Sequence, residues 1–128
     1  MIRSAAIQVG QIIKQEVTDF NDSNLFILQA IPEKVLQKKQ FPIARIDALP
    51  TTINTYFSNK KNFEEVGCQV NLFVNTNREL DTYLTIFEKI LSAHQYECFF
   101  STTEFVNEYG VHHLIMRVQK YQNIKGVF

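Results

Sequence analysis

The chain has 128 residues, of which 45% are hydrophobic and 20% are charged. This length fits one domain spanning 1–128, and the composition excludes an intrinsically disordered protein. Thirteen basic and thirteen acidic side chains cancel, so the bulk charge argues against a dedicated nucleic-acid-binding protein. Eleven Phe and five Tyr, against only four Gly, favour a strand-rich core.

The first predicted element is an amphipathic helix over about residues 2–17. Polar residues at Gln8, Gln11 and Lys14 interrupt the apolar ones, which excludes a signal peptide or a membrane span at this end. We therefore expect an intracellular protein with no membrane partner. The apolar residues recur at helical spacing: Ile2, Ala5, Ala6, Val9, Ile12, Ile13 and Val17.

The next part of the sequence predicts short strands and turns. Residues 21–24 are typical of a turn, and 25–31 form a short apolar run that predicts a buried strand. Residues 33–40 are polar and basic, which indicates a surface loop or a single helical turn. Residues 41–49 have strand composition. Because Pro42 lacks a backbone N–H, we expect it either at the start of a strand or in a strand at a sheet edge.

The middle of the chain contains a half-buried strand. Residues 51–57 favour an extended conformation, and 58–62 form a polar tip before the next strand. From Cys68 to Val74, every second residue is apolar and most of the residues between them are polar. This is the period of a strand that has one face buried.

The clearest element is a second amphipathic helix over about residues 77–94. Thr76 and Glu79 have the spacing of a capping box, in which the two side chains satisfy free backbone donors at the helix start. A hairpin over about residues 98–121 follows, with its turn at 107–110, and residues 122–128 are expected to form a loose tail.

This order of elements predicts an α+β fold. Short polar turns between consecutive strands favour a mostly antiparallel sheet. Two amphipathic helices are then expected to pack on one face of that sheet.

No residue pattern supports catalysis, a metal ion or a cofactor, so we expect a protein that is not an enzyme. His112 and His113 are adjacent on a strand and therefore point to opposite faces. His94 lies near a helix C-terminus, where a cation is mildly favoured. Cys68 and Cys98 have no CxxC partner and are interpreted as buried apolar residues.

One sheet face is a candidate subunit interface. If the helices cover the face that carries Val70 and Leu114, the opposite face carries Phe73, Ile115, Arg117 and Tyr121. Such a mixed apolar and polar surface is typical of contacts between subunits. The alternative is that the core wraps around both faces of the sheet. A second candidate contact is the basic tip Asn59, Lys60 and Lys61, which could touch a partner or the phosphates of nearby DNA.

Three short motifs add a family resemblance. Residues 41–46 have the form F-P-x-x-R-I, residues 66–72 the form V-x-x-Q-V-x-L, and residues 117–121 the form R-x-x-K-Y. With the intervening helix and hairpin, they resemble the tail terminator and minor tail-component proteins of long-tailed phages and prophages of Gram-positive bacteria. The resemblance covers roughly residues 41–121.

The resemblance implies a function in virion assembly. A tail terminator forms a ring, usually a hexamer, that caps the tail tube, stops its polymerisation and docks to the head connector. The implied partners are further copies of the chain, the major tail tube protein, a neck protein, and DNA that passes through the lumen without sequence recognition. The implied location is the head–tail junction of the virion, after assembly in the host cytoplasm.

Two alternatives stay open. One is a head-closure or head-to-tail adaptor protein of the neck. The other is a small enzyme or ligand-binding domain that uses His113 and Arg117 on one strand face. A deep polar pocket containing both residues would favour the enzyme, whereas a flat apolar sheet edge would favour the ring.

Overall fold

The computed structural model describes residues 4–38, 40–49, 52–54 and 63–123, without the side chains of 52–54, 63–66 and 121–123. Three helices and six strands are described, and the strands hold more residues than the helices. The elements are α1 (Ala5–Glu16), β1 (Leu25–Ile27), α2 (Glu33–Gln37), β2 (Ile43–Ala48), β3 (Thr52–Asn54), β4 (Phe63–Val74), α3 (Asn77–Ala93), β5 (Glu97–Val106) and β6 (Val111–Asn123).

The six-stranded sheet has the strand order β1-β2-β4-β6-β5, and β3 also pairs with β4. Because β6 occupies one side of β4 along its whole length, β2 and β3 both lie on the other side, one after the other. All pairs are antiparallel except β1 with β2. The predicted α+β fold is therefore confirmed.

Helices α1 and α3 pack together on one face of the sheet, as predicted. α1 contacts β1, β2 and β4, and α3 contacts β4, β5 and β6. Burying one large aliphatic side chain contributes about 1.5–3 kcal/mol, so this layer is the main source of hydrophobic stabilisation. Its fully buried side chains include Val9, Ile13, Ile46, Val70, Leu72, Val74, Phe87, Leu91 and Met116.

Half of the predicted capping box forms at the start of α3, because the Glu79 carboxylate accepts from the Thr76 hydroxyl and not from a backbone N–H. Thr76 Oγ1 accepts a hydrogen bond from the backbone N–H of Glu79 at 3.2 Å, and the Glu79 carboxylate lies 3.0 Å from the same hydroxyl. At the other end, His94 is the C-cap and its Nε2 lies 2.6 Å from Glu16 Oε2 at the end of α1. The two helices are thus tied together where both of them end.

The prediction of a strand over 25–31 was wrong in length, and the pairing of this strand is the one parallel pair among the described strands of a mostly antiparallel sheet. β1 ends at Ile27 because Leu28 has a φ of 58°, and the Leu28 N–H donates to Ile46 O at 2.8 Å. β1 runs parallel to β2, since the connection between them contains α2 and is long enough for a crossover.

Other boundaries differ in smaller ways. β6 continues to Asn123, so residues 122 and 123, assigned to the loose tail, belong to the strand. Cys68 is buried as predicted, but Cys98 is only half-buried. Among the described residues, no helix is both long enough and apolar enough to cross a membrane.

Candidate functional site

The sheet face away from α1 and α3, which we call the open face, carries side chains in three rows across four strands. The alternate residues of the same strands, such as Leu72 and Leu114, face the helices and belong to the core. Given in the order β2, β4, β6, β5, the rows are Ile43-Phe73-His113-Glu104, Arg45-Asn71-Ile115-Thr102 and Asp47-Gln69-Arg117-Phe100.

Phe73, Ile115 and Arg117 all lie on the open face and are half-buried, so the predicted strand parity is correct. Tyr121 pairs with Glu65 in the β4–β6 ladder, but its side chain lies outside the described residues. The predicted contact at Asn59, Lys60 and Lys61 also lies outside the described residues.

A hydrogen-bond network crosses the open face from β2 to β6. Arg45 donates to Asp47 Oδ2 from Nε at 3.1 Å and from Nη2 at 2.9 Å. Asn71 Nδ2 donates to the same carboxylate oxygen at 3.0 Å, and Gln69 Nε2 donates to Asn71 Oδ1 at 3.0 Å. Arg117 Nε donates to Gln69 Oε1 at 3.0 Å. The network holds both arginines in fixed positions on this face.

Aromatic rings support the two ends of the network. The guanidinium carbon of Arg117 lies 5.0 Å from the ring centroid of Phe100, a cation–π distance. The rings of Phe73 and His113 stack with centroids 4.3 Å apart and planes 15° from parallel. Ring contacts of this kind restrict the side chains they touch, so the surface is ordered before any partner binds.

His113 has an acceptor beside each ring nitrogen. Nε2 lies 3.1 Å from Asn71 Oδ1, and Nδ1 lies 2.9 Å from Glu104 Oε1 on β5. Burial lowers the pKa of the ring below its ordinary value, Glu104 acts in the opposite direction, and Arg45 adds to the lowering.

Part of the open face is itself buried. Ile43 of β2, Phe26 of β1 and Val111 of β6 are buried although they lie outside the cluster beneath α1 and α3. Tyr109, in the turn before Val111, lies near Glu33 of α2, which places the short helix at this end of the sheet. The open face therefore combines a small apolar region with the polar network.

Strand β5 is the most exposed part of the sheet. It ends the strand order, and no described strand pairs with its outer edge. Phe99, Phe100 and Phe105 are 50%, 43% and 53% exposed. A register shift between Cys98 and Phe100 leaves Phe99 without a partner in the β6 ladder. Exposed aromatic side chains along an unpaired edge are typical of surfaces that contact another chain.

A groove of about 470 Å³ lies elsewhere, between the segment after α1 and the segment before β2. Neither His113 nor Arg117 lines it, so it does not meet the condition stated above for an enzyme. Within the described part of the chain, no three His, Cys, Asp or Glu residues are placed to share a metal ion. The residues that line the groove are Asp19, Ser23, Asn24, Val35, Lys38, Gln40, Phe41 and Pro42.

The two thiols are not placed for nucleophilic chemistry. Burial raises the pKa of Cys68 to about 12, and the nearby Asp47 carboxylate acts in the same direction. Burial also raises the pKa of Cys98, whose Sγ donates to Phe100 O at 3.4 Å. Reactive cysteines have a lowered pKa, so both residues fit a packing role.

Sequence reasoning missed the residues that connect the network. Asp47, Gln69, Asn71 and Glu104 come from three different strands, and only the register brings them together. The available signal was the pair of amides Gln69 and Asn71 at alternate positions among the apolar residues from Cys68 to Val74. Asn71 is 3% exposed, and a buried amide needs partners.

Comparisons with known proteins give no family for this chain. No protein-family model matches it, and no curated protein has significant sequence similarity to it.

Proposed function

We propose that the chain is a tail terminator subunit of a long-tailed phage, which forms a ring on the end of the tail tube and stops its polymerisation. The observation that carries this proposal is the outer edge of β5 with its exposed Phe99, Phe100 and Phe105. The motifs at residues 41–46, 66–72 and 117–121 support the same family.

The edge of β5 suits a ring because it lies at one end of the sheet. A second copy that contacts this edge with a different part of its surface leaves its own β5 edge free for a third copy. Such heterologous contacts close into a ring when the rotation between neighbours permits it. Aromatic residues at the centre of the contact would supply most of its binding energy.

The open face supports a protein partner more than a small ligand. Its rows form a continuous surface on four strands, with Arg45, Asn71 and Arg117 held by hydrogen bonds within the face. An ordered surface binds a partner at a lower entropic cost, since its side chains are already fixed. In a ring, this face would contact the neighbouring subunit through Phe73, Ile115 and Arg117.

The further partners follow from the proposed position in the virion. One side of the ring would bind the major tail tube protein and the other the neck protein of the head connector. DNA would pass through the lumen without sequence recognition, and the Asn59, Lys60 and Lys61 tip is the segment we would examine there first.

The test combines assembly state with tube length. The molar mass of the purified protein is measured by light scattering over a concentration series, and its effect on polymerising tail tube protein is measured by electron microscopy. We expect a multi-subunit ring and short tubes of uniform length. Phe99→Lys and Phe105→Lys should abolish both effects, because Lys is a residue that blocks pairing at natural sheet edges.

Ile7→Lys is the matched control, since Ile7 is an exposed apolar residue on α1, on the other side of the molecule from the open face. This variant should assemble like the wild type. A ring that binds the neck protein but leaves tube length unchanged would instead indicate an adaptor. A protein that stays monomeric and affects neither tubes nor neck protein contradicts the proposal.

A further inference from the structure

The hydrogen-bond network fixes the orientation of the Asn71 side chain. A carboxylate can only accept, so the Asn71 group that faces Asp47 Oδ2 at 3.0 Å must be the NH₂. The contacts at the other end of the network lead to the same orientation of Asn71. Arg117 can only donate, so the atom of Gln69 that faces it is Oε1. Gln69 then turns its own NH₂ to Asn71. The Asn71 carbonyl oxygen consequently points toward β6.

This orientation determines one proton on His113. Nε2 lies 3.1 Å from Asn71 Oδ1, which is an acceptor, so Nε2 carries a hydrogen in every state in which this contact exists. A neutral imidazole has only one N–H. In the neutral ring, Nδ1 therefore presents a lone pair to the Glu104 carboxylate, and the two groups cannot hydrogen-bond. The 2.9 Å contact between Nδ1 and Glu104 Oε1 requires a second proton.

We propose that His113 is a proton-dependent connection between the edge strand β5 and the polar network of the open face. The neutral ring hydrogen-bonds Asn71 and not Glu104, and the Glu104 side chain is then free to turn toward solvent. The imidazolium donates to Asn71 and Glu104 at once, which links β5, β6 and β4 through side chains. This inference stands independently of the proposed ring.

The surroundings of His113 contain charges of both signs. Its own strand carries Arg117, which lies one row beyond Ile115 and is held by Gln69. β2 contributes Arg45 and Asp47, which pair with each other, and β4 contributes no charged side chain in these rows. At the turn end, Glu108 and Glu33 of α2 both lie near Tyr109.

Glu104 is therefore the carboxylate in direct contact with the ring. The His113 side chain is 12% exposed and that of Glu104 is 57% exposed. The ring is thus shielded from solvent, while its charged partner can leave the contact without disturbing the core. This difference in exposure allows protonation to move Glu104 rather than the imidazole.

The test is the protonation and tautomeric state of the three histidine rings, measured by long-range ¹H–¹⁵N correlation NMR from about pH 8 to about pH 5. We expect neutral His113 to carry its proton on Nε2, with Nδ1 bare, and to take up the second proton on Nδ1. Glu104→Gln should weaken proton binding at His113 about 3-fold, the loss expected for an ion pair with one exposed partner.

Glu97→Gln is the matched control, because Glu97 is an exposed carboxylate on β5 that pairs with Gln119 instead. It should leave the titration of His113 unchanged. Two results would overturn the proposal: a neutral His113 with its proton on Nδ1, or equal shifts in the Glu104→Gln and Glu97→Gln variants. Both substitutions are at exposed side chains, so folding of the variants is not at issue.

Discussion

The hydroxyl of Tyr83 in α3 donates a hydrogen bond to Asp19 Oδ2 at 2.8 Å, which connects α3 to the segment that follows α1. Tyr83 also packs against Phe20 and Phe87, with ring centroids 5.8 Å and 5.9 Å away. The polar end of this side chain therefore fixes the position of a residue whose ring belongs to the core.

Tyr83→Phe removes that hydrogen bond and keeps the ring. We expect the free energy of unfolding to fall by about 1 kcal/mol, a usual net contribution of one hydrogen bond. Denaturant titration measures the change. In an Asp19→Ala background the same substitution should have little further effect, and an undiminished loss there would show that the bond is not responsible.

Thr76→Ala tests the start of α3. Loss of the hydroxyl that accepts from the Glu79 N–H should cost about 1 kcal/mol of stability. Thr82→Ala is the matched control, because Thr82 lies within the same helix and its hydroxyl only donates back to Arg78 O. Thermal unfolding should separate the two variants, and equal losses would contradict the capping role.

Gly67→Ala tests the contact between β4 and β6. A Cβ at residue 67 would lie 2.8 Å from the backbone oxygen of Val118, which cannot move without distorting the ladder. We expect a loss of about 1–3 kcal/mol, the usual cost of a forced steric contact. Gly110→Ala serves as the comparison. There a Cβ meets nothing within 4 Å, and only the φ of +65° opposes the substitution.

Asn71→Ala removes the centre of the open-face network. Asp47, Gln69 and His113 each lose a partner, and the loss of a buried amide leaves unsatisfied groups behind. We expect destabilisation of about 2–4 kcal/mol, measured by denaturant titration. Asn75→Ala, at an exposed position just after β4, should change stability by less than about 0.5 kcal/mol.

The lowered pKa of His113 predicts that the stability of the protein depends on pH. Because burial lowers the pKa of His113 in the folded state, the unfolded chain binds more protons once the pH falls to about 6.5, the ordinary value for histidine. The free energy of unfolding should therefore decrease on acidification from there, and level off once the folded ring is protonated as well.

The comparison variant is His113→Gln, which cannot titrate. The difference in unfolding free energy between wild type and this variant, measured by urea titration at several pH values, should shrink or reverse as the pH falls through about 6.5. A difference that grows on acidification would mean that the folded state favours the imidazolium.

Local patterns predicted the parts of the structure that depend on near neighbours. Thr76 and Glu79 are three residues apart, and the predicted hydrogen bond from the Glu79 N–H to the Thr76 hydroxyl forms. Strand parity also placed His112 and His113 on opposite faces, since His112 contacts Phe105 while His113 stacks on Phe73. Both inferences need only the geometry of one helix or one strand.

The parts that were missed depend on contacts between distant residues. The parallel pairing of β1 with β2 could not be derived from residues 25–31, because it depends on where the connection returns to the sheet. The partners of Asn71 likewise depend on the register of β2 and β6 against β4. Strand parity predicts the face on which Asn71 lies, but not the residues beside it on the neighbouring strands.

The strand order also has a consequence for the folding pathway. The pairing of Val74 with His112 encloses all of α3 and β5, so the central ladder closes a long loop, whereas β5 and β6 are joined by a tight turn. Local contacts form before distant ones because loop closure costs conformational entropy. The β5–β6 hairpin is thus expected to form before β4 reaches it. During that interval both of its edges are unpaired, and Phe99, Phe100 and Phe105 make the nascent hairpin the segment most prone to aggregate while the chain folds.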